Sequence, residues 1–561
     1  MSTFILDITL NNHNNFSGDT AFFIEYCTSA KFKDDKVNYQ NNKYFILLDG
    51  IVLNKKQLLD QYGQSNWSEF LVKTYQKNGN QFFKELNGSY YGFLFDKEEK
   101  KWIIFSDQIS SKPVYFTEFK NHICFSNTFT DIVDYLKQKK QKITLNEQAA
   151  YLLLSYGYVF EDITITNEIK RLMVGYYAVI QNDKFQLEKF YTLTNNPIEI
   201  SEREAIEAID KRFREAVKLA FDKDREYGYQ HLATLSGGLD SRMTVYVAHD
   251  LGYTSQLNLT FSQSNYLDET IARQISADLK HEWLFKALDN GVFLENIDEI
   301  TKITGGNVQY SSLAHSMSLY KYLNFNNLGI MHTGQLGDVV ISTFYSSLNA
   351  KKKFTFGDGA YSSVLLCKTG IKSFNIDYPN EEIFKMYIRG FYGANQGLLG
   401  IMNYSETHSP FYDISFMEFC LSLPLKLRFN HYLYKKWILK KYPQIASYIW
   451  EKEKVPINYQ YWIKVKNKRL PLKEIPTKIQ SILGYEKYGF VTKNNMNPLE
   501  YWYQTNNQLK FFMDNYFKEK IYLLDDFPEL KIDCKKLYCN SNGLEKIQVL
   551  SLLAWMKLSA K

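Results

Sequence analysis

The chain has little of what marks several large classes of protein. Its 561 residues include only 6 cysteines, and these (Cys27, Cys124, Cys367, Cys420, Cys534 and Cys539) are scattered. That usage excludes a disulfide framework. Only Cys534 and Cys539 lie close together, and no His or Cys pair beside them completes a zinc set. They read as reduced thiols in a cytoplasmic protein. The start, Met1-Ser2-Thr3-Phe4-Ile5-Leu6-Asp7, has neither the basic nor the apolar region of a secretory signal. No apolar run approaches the ~20 residues of a membrane span. The longest, Val549 to Leu558, is interrupted by Ser551 and Lys557 and reads as a buried terminal helix. A net charge of only +6 points to neither nucleic acid nor an anionic membrane. A hydrophobic fraction of 45% and a charged fraction of 23% exclude a mostly disordered chain. What is abundant is aromatic: Tyr 43, Phe 40 and Trp 8. These read as core filler.

A chain of this length exceeds one hydrophobic core, so two or three domains are expected. The first part reads as β-rich. Phe45-Ile46-Leu47-Leu48 runs into Asp49-Gly50, a turn dipeptide, and Tyr90–Phe95 with Trp102–Phe105 reads as a hairpin. Short strands follow at Val114–Phe116 and Ile123–Phe125, and a second hairpin turns at Asn182-Asp183. A boundary falls at Thr194-Asn195-Asn196-Pro197. Then Ser201 and Glu204 form a capping box ahead of Ile206, Ile209, Phe213, Val217 and Ala220 at helical spacing. Strands at 232–235, 257–261, 283–285 and 330–333 alternate with helices at 240–251 and 268–279. That alternation implies a parallel, doubly wound sheet. Beyond Asn349 the chain becomes irregular and largely helical.

The chemistry-bearing motif is Leu235-Ser236-Gly237-Gly238-Leu239-Asp240-Ser241, between a strand and a helix. Two glycines let the backbone turn tightly and leave its N–H groups uncovered. With the following helix N-terminus those donors form a nest for phosphates, to which the hydroxyls of Ser236 and Ser241 add. Asp240 beside phosphates implies an intervening cation, Mg2+. A Walker A pattern is absent, as is G-x-G-x-x-G after a strand.

The hexapeptide from Ser236 to Ser241 resembles the PP-loop of the asparagine synthetase family, whose members cleave ATP between its α and β phosphates. Further marks follow in order: Phe261-Ser262, Asp268-Glu269 with Ala272, Thr333-Gly334-Gln335-Leu336-Gly337-Asp338, Ser409-Pro410-Phe411-Tyr412-Asp413, Leu423-Pro424, Lys435, Trp450-Glu451-Lys452 and Leu552–Met556. The resemblance covers about residue 201 to the end. Ahead of it, Leu86–Phe93, Ser106-Asp107-Gln108 with Lys112–Tyr115, Phe125-Ser126-Asn127 and Asp49-Gly50-Ile51 resemble the family's glutaminase domain in degenerate form. The implied fold is α/β plus α+β. Residues 1–195 form a β-rich, Ntn-hydrolase-like sandwich, and 196–561 a doubly wound PP-loop synthetase domain with a helical C-terminal part.

The resemblance implies an ATP-dependent, AMP-forming ligase. It adenylates a small-molecule or peptide carboxylate and transfers it to ammonia or an amine. Leu235, Ser236, Gly237, Gly238, Leu239, Asp240, Ser241, Phe261, Thr333 and Gly334 are the nucleotide residues it carries over, with Asp240 and Asp338 holding Mg2+. Lys452 would stabilise charge in both half-reactions. A homodimer is open. Departures matter as much. A glutaminase of this fold needs an N-terminal Cys, and residue 2 is serine; no glutamine clamp appears in the first sixty residues. The front domain is therefore expected to be catalytically silent. Gln335 replaces the usual Glu of the second loop, making a proposed acid–base group neutral; Leu336 replaces a glycine and Val339 an acid. The acceptor thus differs from that of a housekeeping asparagine synthetase. Relatives with silent front domains form β-lactams or cyclise peptides, and other relatives amidate sugar acids. A nucleotide-binding homologue that has lost chemistry is the alternative. His332 reads as a core residue, His408 as a residue with a claim on substrate, and Phe411 and Tyr412 as acceptor-pocket candidates.

Overall fold

The structure, a computed structural model, describes residues 2–10, 21–370, 377–465, 468–474 and 495–559. Its front part holds strands β1 (Thr3–Thr9), β2 (Phe22–Cys27), β3 (Val37–Gln40), β4 (Tyr44–Val52), β5 (Gly88–Asp96), β6 (Lys101–Ser106), β7 (Tyr115–Phe119), β8 (His122–Ser126), β9 (Lys170–Arg171), β10 (Tyr176–Gln181) and β11 (Lys184–Lys189). They form two antiparallel sheets, ordered β2-β1-β8-β7-β9 and β11-β10-β6-β5-β4-β3. Leu6, Phe93, Trp102, Ile104, Phe116 and Phe125 fill the space between them. The second sheet's far face is covered by α1 (Lys55–Gln61) and α2 (Trp67–Asn78), through Leu58, Phe70 and Leu71. Strand β4 shows why its sequence is apolar without interruption. Side chains alternate across a strand, so Phe45 and Leu47 enter the inter-sheet core while Ile46 and Leu48 enter the helix-covered one.

Both expected hairpins form, as β5–β6 and β10–β11. The reading of Asp49-Gly50 as a turn is corrected, because β4 continues through both residues to Val52. Gly50 is there for close approach, not for reversal. It has φ +124°, and a Cβ on it would lie 2.2 Å from the Ser89 carbonyl of the paired strand. The front helices α1, α2, α3 (Phe129–Gln138) and α4 (Glu147–Tyr156) had no counterpart in the sequence reading. The aromatic excess goes largely into cores: Phe95 stacks on Trp102 at 4.1 Å between ring centroids, and Phe83 on Phe105 at 4.5 Å.

The rear part begins with α5 (Glu202–Tyr227), which starts at the expected capping box of Ser201 and Glu204. Five parallel strands follow: β12 (Gln230–Thr234), β13 (Gln256–Ser262), β14 (Glu282–Ala287), β15 (Leu328–His332) and β16 (Thr407–His408), ordered β14-β13-β12-β15-β16. Helices α6 (Leu239–Asp250) and α7 (Leu267–Asp278) make the crossovers to β13 and β14. The helix Gly543–Ser559 contains the apolar run 549–558 and is buried along most of its length. No helix among the described residues is long and apolar enough to cross a membrane.

Front and rear are joined by buried polar contacts. The fully buried Asp35 meets Lys55 at 3.1 Å from the front part. From α5 it meets Lys223 at 3.0 Å and accepts from the Tyr227 hydroxyl at 2.9 Å. Lys112 pairs with Glu406 at 2.7 Å, and Asn87 donates to Asp413 at 2.7 Å.

Candidate functional site

The sheet's strand order fixes where the site can be. Chain progress runs outward from β12 through β13 to β14, then returns to β12's other side with β15. Ligands of open parallel sheets bind beyond the strand C-termini at such a reversal. The loops leaving β12 and β15 there are 235–238 and 333–336, the two segments singled out in the sequence. They touch closely enough that Gly334 tolerates no side chain: a Cβ would lie 2.2 Å from the Ser241 amide nitrogen.

The first loop is closed upon itself. The Ser236 amide donates to the Ser241 hydroxyl at 3.1 Å, the two hydroxyls lie 3.0 Å apart, and the Gly238 amide donates to the Ser236 hydroxyl at 3.3 Å. Helix α6 follows with Gly238 as its N-cap and no side-chain cap, so its first amides remain available to an anion. The loop is braced from behind. Buried Arg242 donates to the carbonyls of Gly237 (3.0 Å), Tyr448 (3.3 Å) and Ile449 (2.6 Å). Asp268 accepts the Gly237 amide at 2.8 Å. Burial pushes the Asp268 carboxyl up to about 6, against the Gly237 hydrogen bond that lowers it.

A cleft of about 440 Å3 is lined by Leu235, Ser236, Gly238, Asp240, Ser241, Phe261, Thr333, Gly334 and Gln335. Nine of the expected residues therefore share one cavity. Gly237 and Leu239 stand behind it: the Gly237 amide is engaged by Asp268, and the Leu239 side chain is in the core. Gln335 donates to the Ala394 carbonyl at 2.9 Å. Leu336 adopts φ 63°, the left-handed conformation that favours glycine, and its side chain packs over Gly390.

Asp240 and Asp338 converge at the cleft's edge. Asp240 accepts from the Tyr434 hydroxyl at 2.8 Å and from the Asp338 amide at 2.9 Å. Burial, and then the charge of Asp338, hold Asp240 well above the usual carboxylate range. Asp338 reaches the open mouth, and the protein crowded behind it raises its carboxyl as well, against the opposing charge of Lys452. No described basic side chain bonds either acid. Two such crowded, unneutralised oxygen donors fit a hard divalent cation.

Lys452 itself lines an adjoining basin of about 910 Å3 together with Lys435, Lys436, His431 and Trp450. The Trp450 ring lies under both Lys435 (5.0 Å) and Lys452 (5.6 Å). His431 sits 3.5 Å from the Lys452 ammonium. Burial first, then the two lysines, push its imidazole down to about 3, so it stays neutral.

His332 is a core residue: its Nε2 lies 2.7 Å from the fully buried Asp224, which also meets His231 at 2.9 Å. Burial works to raise Asp224, but the two histidines outweigh it and hold it low. The expectation for His408 is corrected. It is buried on β16, away from the cleft lining, and burial pushes it down to about 3. Phe411 is likewise fully buried, and Tyr412 lines a separate small cavity, donating to Asn395. Both are corrected as acceptor-pocket candidates. The sequence reading missed Tyr158, His315, Tyr361, Arg242 and Tyr434. Tyr158 comes from the front part and reaches the cleft through a bridge to Val308. Nothing local marks such a residue, because only the docking of the two parts brings it there.

A family model described as a glutamine amidotransferase domain matches residues 35–191, and one described as asparagine synthase matches 208–356. The chain is 28% identical over 290 residues to "Putative asparagine synthetase [glutamine-hydrolyzing] 2" of Methanocaldococcus jannaschii. That match covers 48% of this chain and 54% of the relative, so the chain spans about half the length of the curated relative it matches. Solved structures similar in part include glutamine phosphoribosylpyrophosphate amidotransferase from B. subtilis with ADP and GMP (11% identity, TM-score 0.23, 48% of this chain and 61% of that one). Another is NMN synthetase from Francisella tularensis (13% identity, TM-score 0.18, 40% of this chain and 94% of that one).

Proposed function

The chain belongs to the asparagine synthetase family, and from that premise we propose that it is an ATP-dependent, AMP-forming amide ligase that adenylates a carboxylate and passes it to ammonia or an amine. The observation that carries the reading is the meeting of Asp240 and Asp338 at the mouth of a cleft formed by two loops and an uncapped helix start. The proposed division of labour is 1–195 as a degenerate glutaminase-like domain and 196–561 as the synthetase.

A carboxylate does not condense with an amine unaided. Adenylation gives it a good leaving group. The α6 amides with Ser236 and Ser241 would hold phosphate oxygens, while Leu235, Phe261, Thr333 and Gly334 would bracket the adenosine. Asp240 and Asp338 would hold Mg2+. That ion, when bound, supplies charge neutralisation to the departing pyrophosphate. Lys452, presented by Trp450 beside both acids, would stabilise negative charge as the acyl–phosphate bond forms and again as it breaks. Gln335, being neutral, can position an acceptor by hydrogen bonding but cannot remove a proton from it. Cytoplasmic location belongs to the same proposal.

Loss of glutaminase chemistry is supported by the surroundings of Ser2. Its hydroxyl accepts the Ser29 amide at 3.0 Å and the Lys36 ammonium at 3.0 Å. Lys36 is in turn 3.4 Å from Asp49, which stands where the family has the asparagine of N-G-E. A carboxylate there repels, rather than stabilises, an oxyanion.

The test is pyrophosphate release by the purified protein with a carboxylate panel, using ammonium or glutamine as nitrogen source. Release dependent on one carboxylate and lost in Asp240→Ala is expected, with ammonium as donor. ATP binding with no pyrophosphate across the panel would instead favour a non-catalytic homologue. Glutamine hydrolysis abolished by Ser2→Ala would overturn the silent front domain.

A further inference from the structure

We propose that the Tyr158 side of the cleft, together with the neighbouring Arg389, is a binding site for a carboxylate that carries no free ammonium, with Arg389 and Tyr158 as its anion-holding groups. The proposal rests on the ligase reading and names the substrate class for it.

The cleft wall supplies the first half of the argument. Beyond the two nucleotide loops it is lined by Tyr158, Tyr361, Gly393, Ala394 and Leu398. Among the described residues, Asp240 is the only acidic side chain lining the cleft, and both its oxygens already accept hydrogen bonds, from Tyr434 and from the Asp338 amide. A free amino acid such as aspartate would bring an ammonium group into this wall and find there no carboxylate but Asp240, the proposed Mg2+ ligand. A buried ammonium without a counter-charge is strongly disfavoured.

The second half is what does wait there. Tyr158 is 2% exposed, and its hydroxyl has no hydrogen-bond partner. A buried donor left so is uncommon and calls for a ligand group. Arg389 stands beside it on the π-helical turn Met386–Gly393, whose last residue lines the cleft. Its side chain is exposed and has no hydrogen bond or ion pair with any described residue. Both groups border Gly359, where a Cβ would make only ordinary contacts. A Cβ on Gly359, which has φ +88°, would lie 3.5 Å from the Arg389 Cβ and 3.8 Å from the Tyr158 hydroxyl. Gly393 likewise leaves room for the Tyr158 ring, since a Cβ there would lie 2.8 Å from it. The Arg389 stem runs toward the same place, its Cδ 4.0 Å from that Gly359 Cβ. An unpaired planar guanidinium and an unpartnered hydroxyl, both carried to Gly359, form a donor set for a carboxylate. The half-exposed Tyr361 ring, edge-on to Tyr158 at 6.3 Å, adds an apolar surface rather than a charge.

The experiment is calorimetric titration of the full chain, saturated with a non-hydrolysable ATP analogue and Mg2+, with four probes. Three lack an ammonium (succinate, D-glucuronate and N-acetyl-L-aspartate) and the fourth is L-aspartate. Saturable binding of at least one amine-free probe is expected, at least about tenfold tighter than L-aspartate. Arg389→Gln should weaken that probe by at least about tenfold, and Tyr158→Phe by a smaller factor, while the affinity for the ATP analogue stays within about twofold. L-aspartate binding as tightly as the best amine-free probe, no probe saturating, or unchanged affinity in Arg389→Gln would each overturn the proposal. Failure of the ATP analogue itself to bind would instead overturn the ligase reading beneath it.

Discussion

Replacing Asp268 by asparagine should stabilise the unliganded protein, by an amount that pH sets. Asp268 supports the 235–238 loop from beneath, accepting the Gly237 amide, and burial lifts its carboxyl from 3.8 to about 6. That is a shift of about 2 units at about 1.4 kcal/mol each, or about 3 kcal/mol. The folded protein holds this proton more tightly than the unfolded chain. The group's stabilising contribution is therefore full below pH 3.8, declines as pH rises to about 6, and is absent above it. An asparagine side chain at this position keeps a carbonyl oxygen for Gly237 and never ionises. The Asp268→Asn variant should be more stable than the parent by about 1 kcal/mol near pH 4.5 and by about 3 kcal/mol near pH 7.5. Urea midpoints at the two pH values, compared between parent and variant, measure this directly. Affinity for ATP should rise, because the substitution removes a negative charge beside the phosphates. A variant no more stable near pH 7.5 than near pH 4.5, relative to the parent, would refute the reasoning.

Three further outcomes follow from the same geometry. Trp450→Leu removes the ring beneath Lys435 and Lys452. It should lower kcat roughly 2- to 30-fold, the equivalent of about 0.5–2 kcal/mol of cation–π energy, with KM for ATP unchanged; a rise in KM alone would contradict it. Asp35→Ala leaves Lys55 and Lys223 buried without their shared carboxylate. It should cost about 3–5 kcal/mol in the first urea transition; a loss under about 1 kcal/mol would show that the two parts are held elsewhere. Chelating the proposed Mg2+ should raise the apparent pH at which Asp240 and Asp338 ionise, read as a shift of the pH dependence of thermal stability to higher pH.

The parallel sheet and the glycine turn between β12 and α6 were legible because they are local. Two glycines after an apolar strand, followed by a serine–aspartate helix start, announce their own geometry. The second loop was legible only through resemblance: Gln335-Leu336-Gly337-Asp338 alone does not say that Asp338 will meet Asp240 across the sheet's reversal point. What was missed depends on distance in sequence. Tyr158 and Tyr361 reach the cleft from segments over 200 residues apart, and Arg242 acts by holding carbonyls rather than by any motif. Asp49-Gly50 was misread because the same dipeptide serves a tight turn or a tight strand pairing, and only the neighbouring strand decides which. His408 follows a different logic: a polar residue beside a family motif can still be one of the sheet's buried edge residues.

Under the proposed function, this cleft cleaves ATP between its α and β phosphates to activate a carboxylate. Phosphorus NMR of the products, with ammonium and an accepted carboxylate present, tests it most directly. AMP and pyrophosphate in equal amounts, absent in Asp240→Ala, are predicted. ADP and inorganic phosphate would contradict the account.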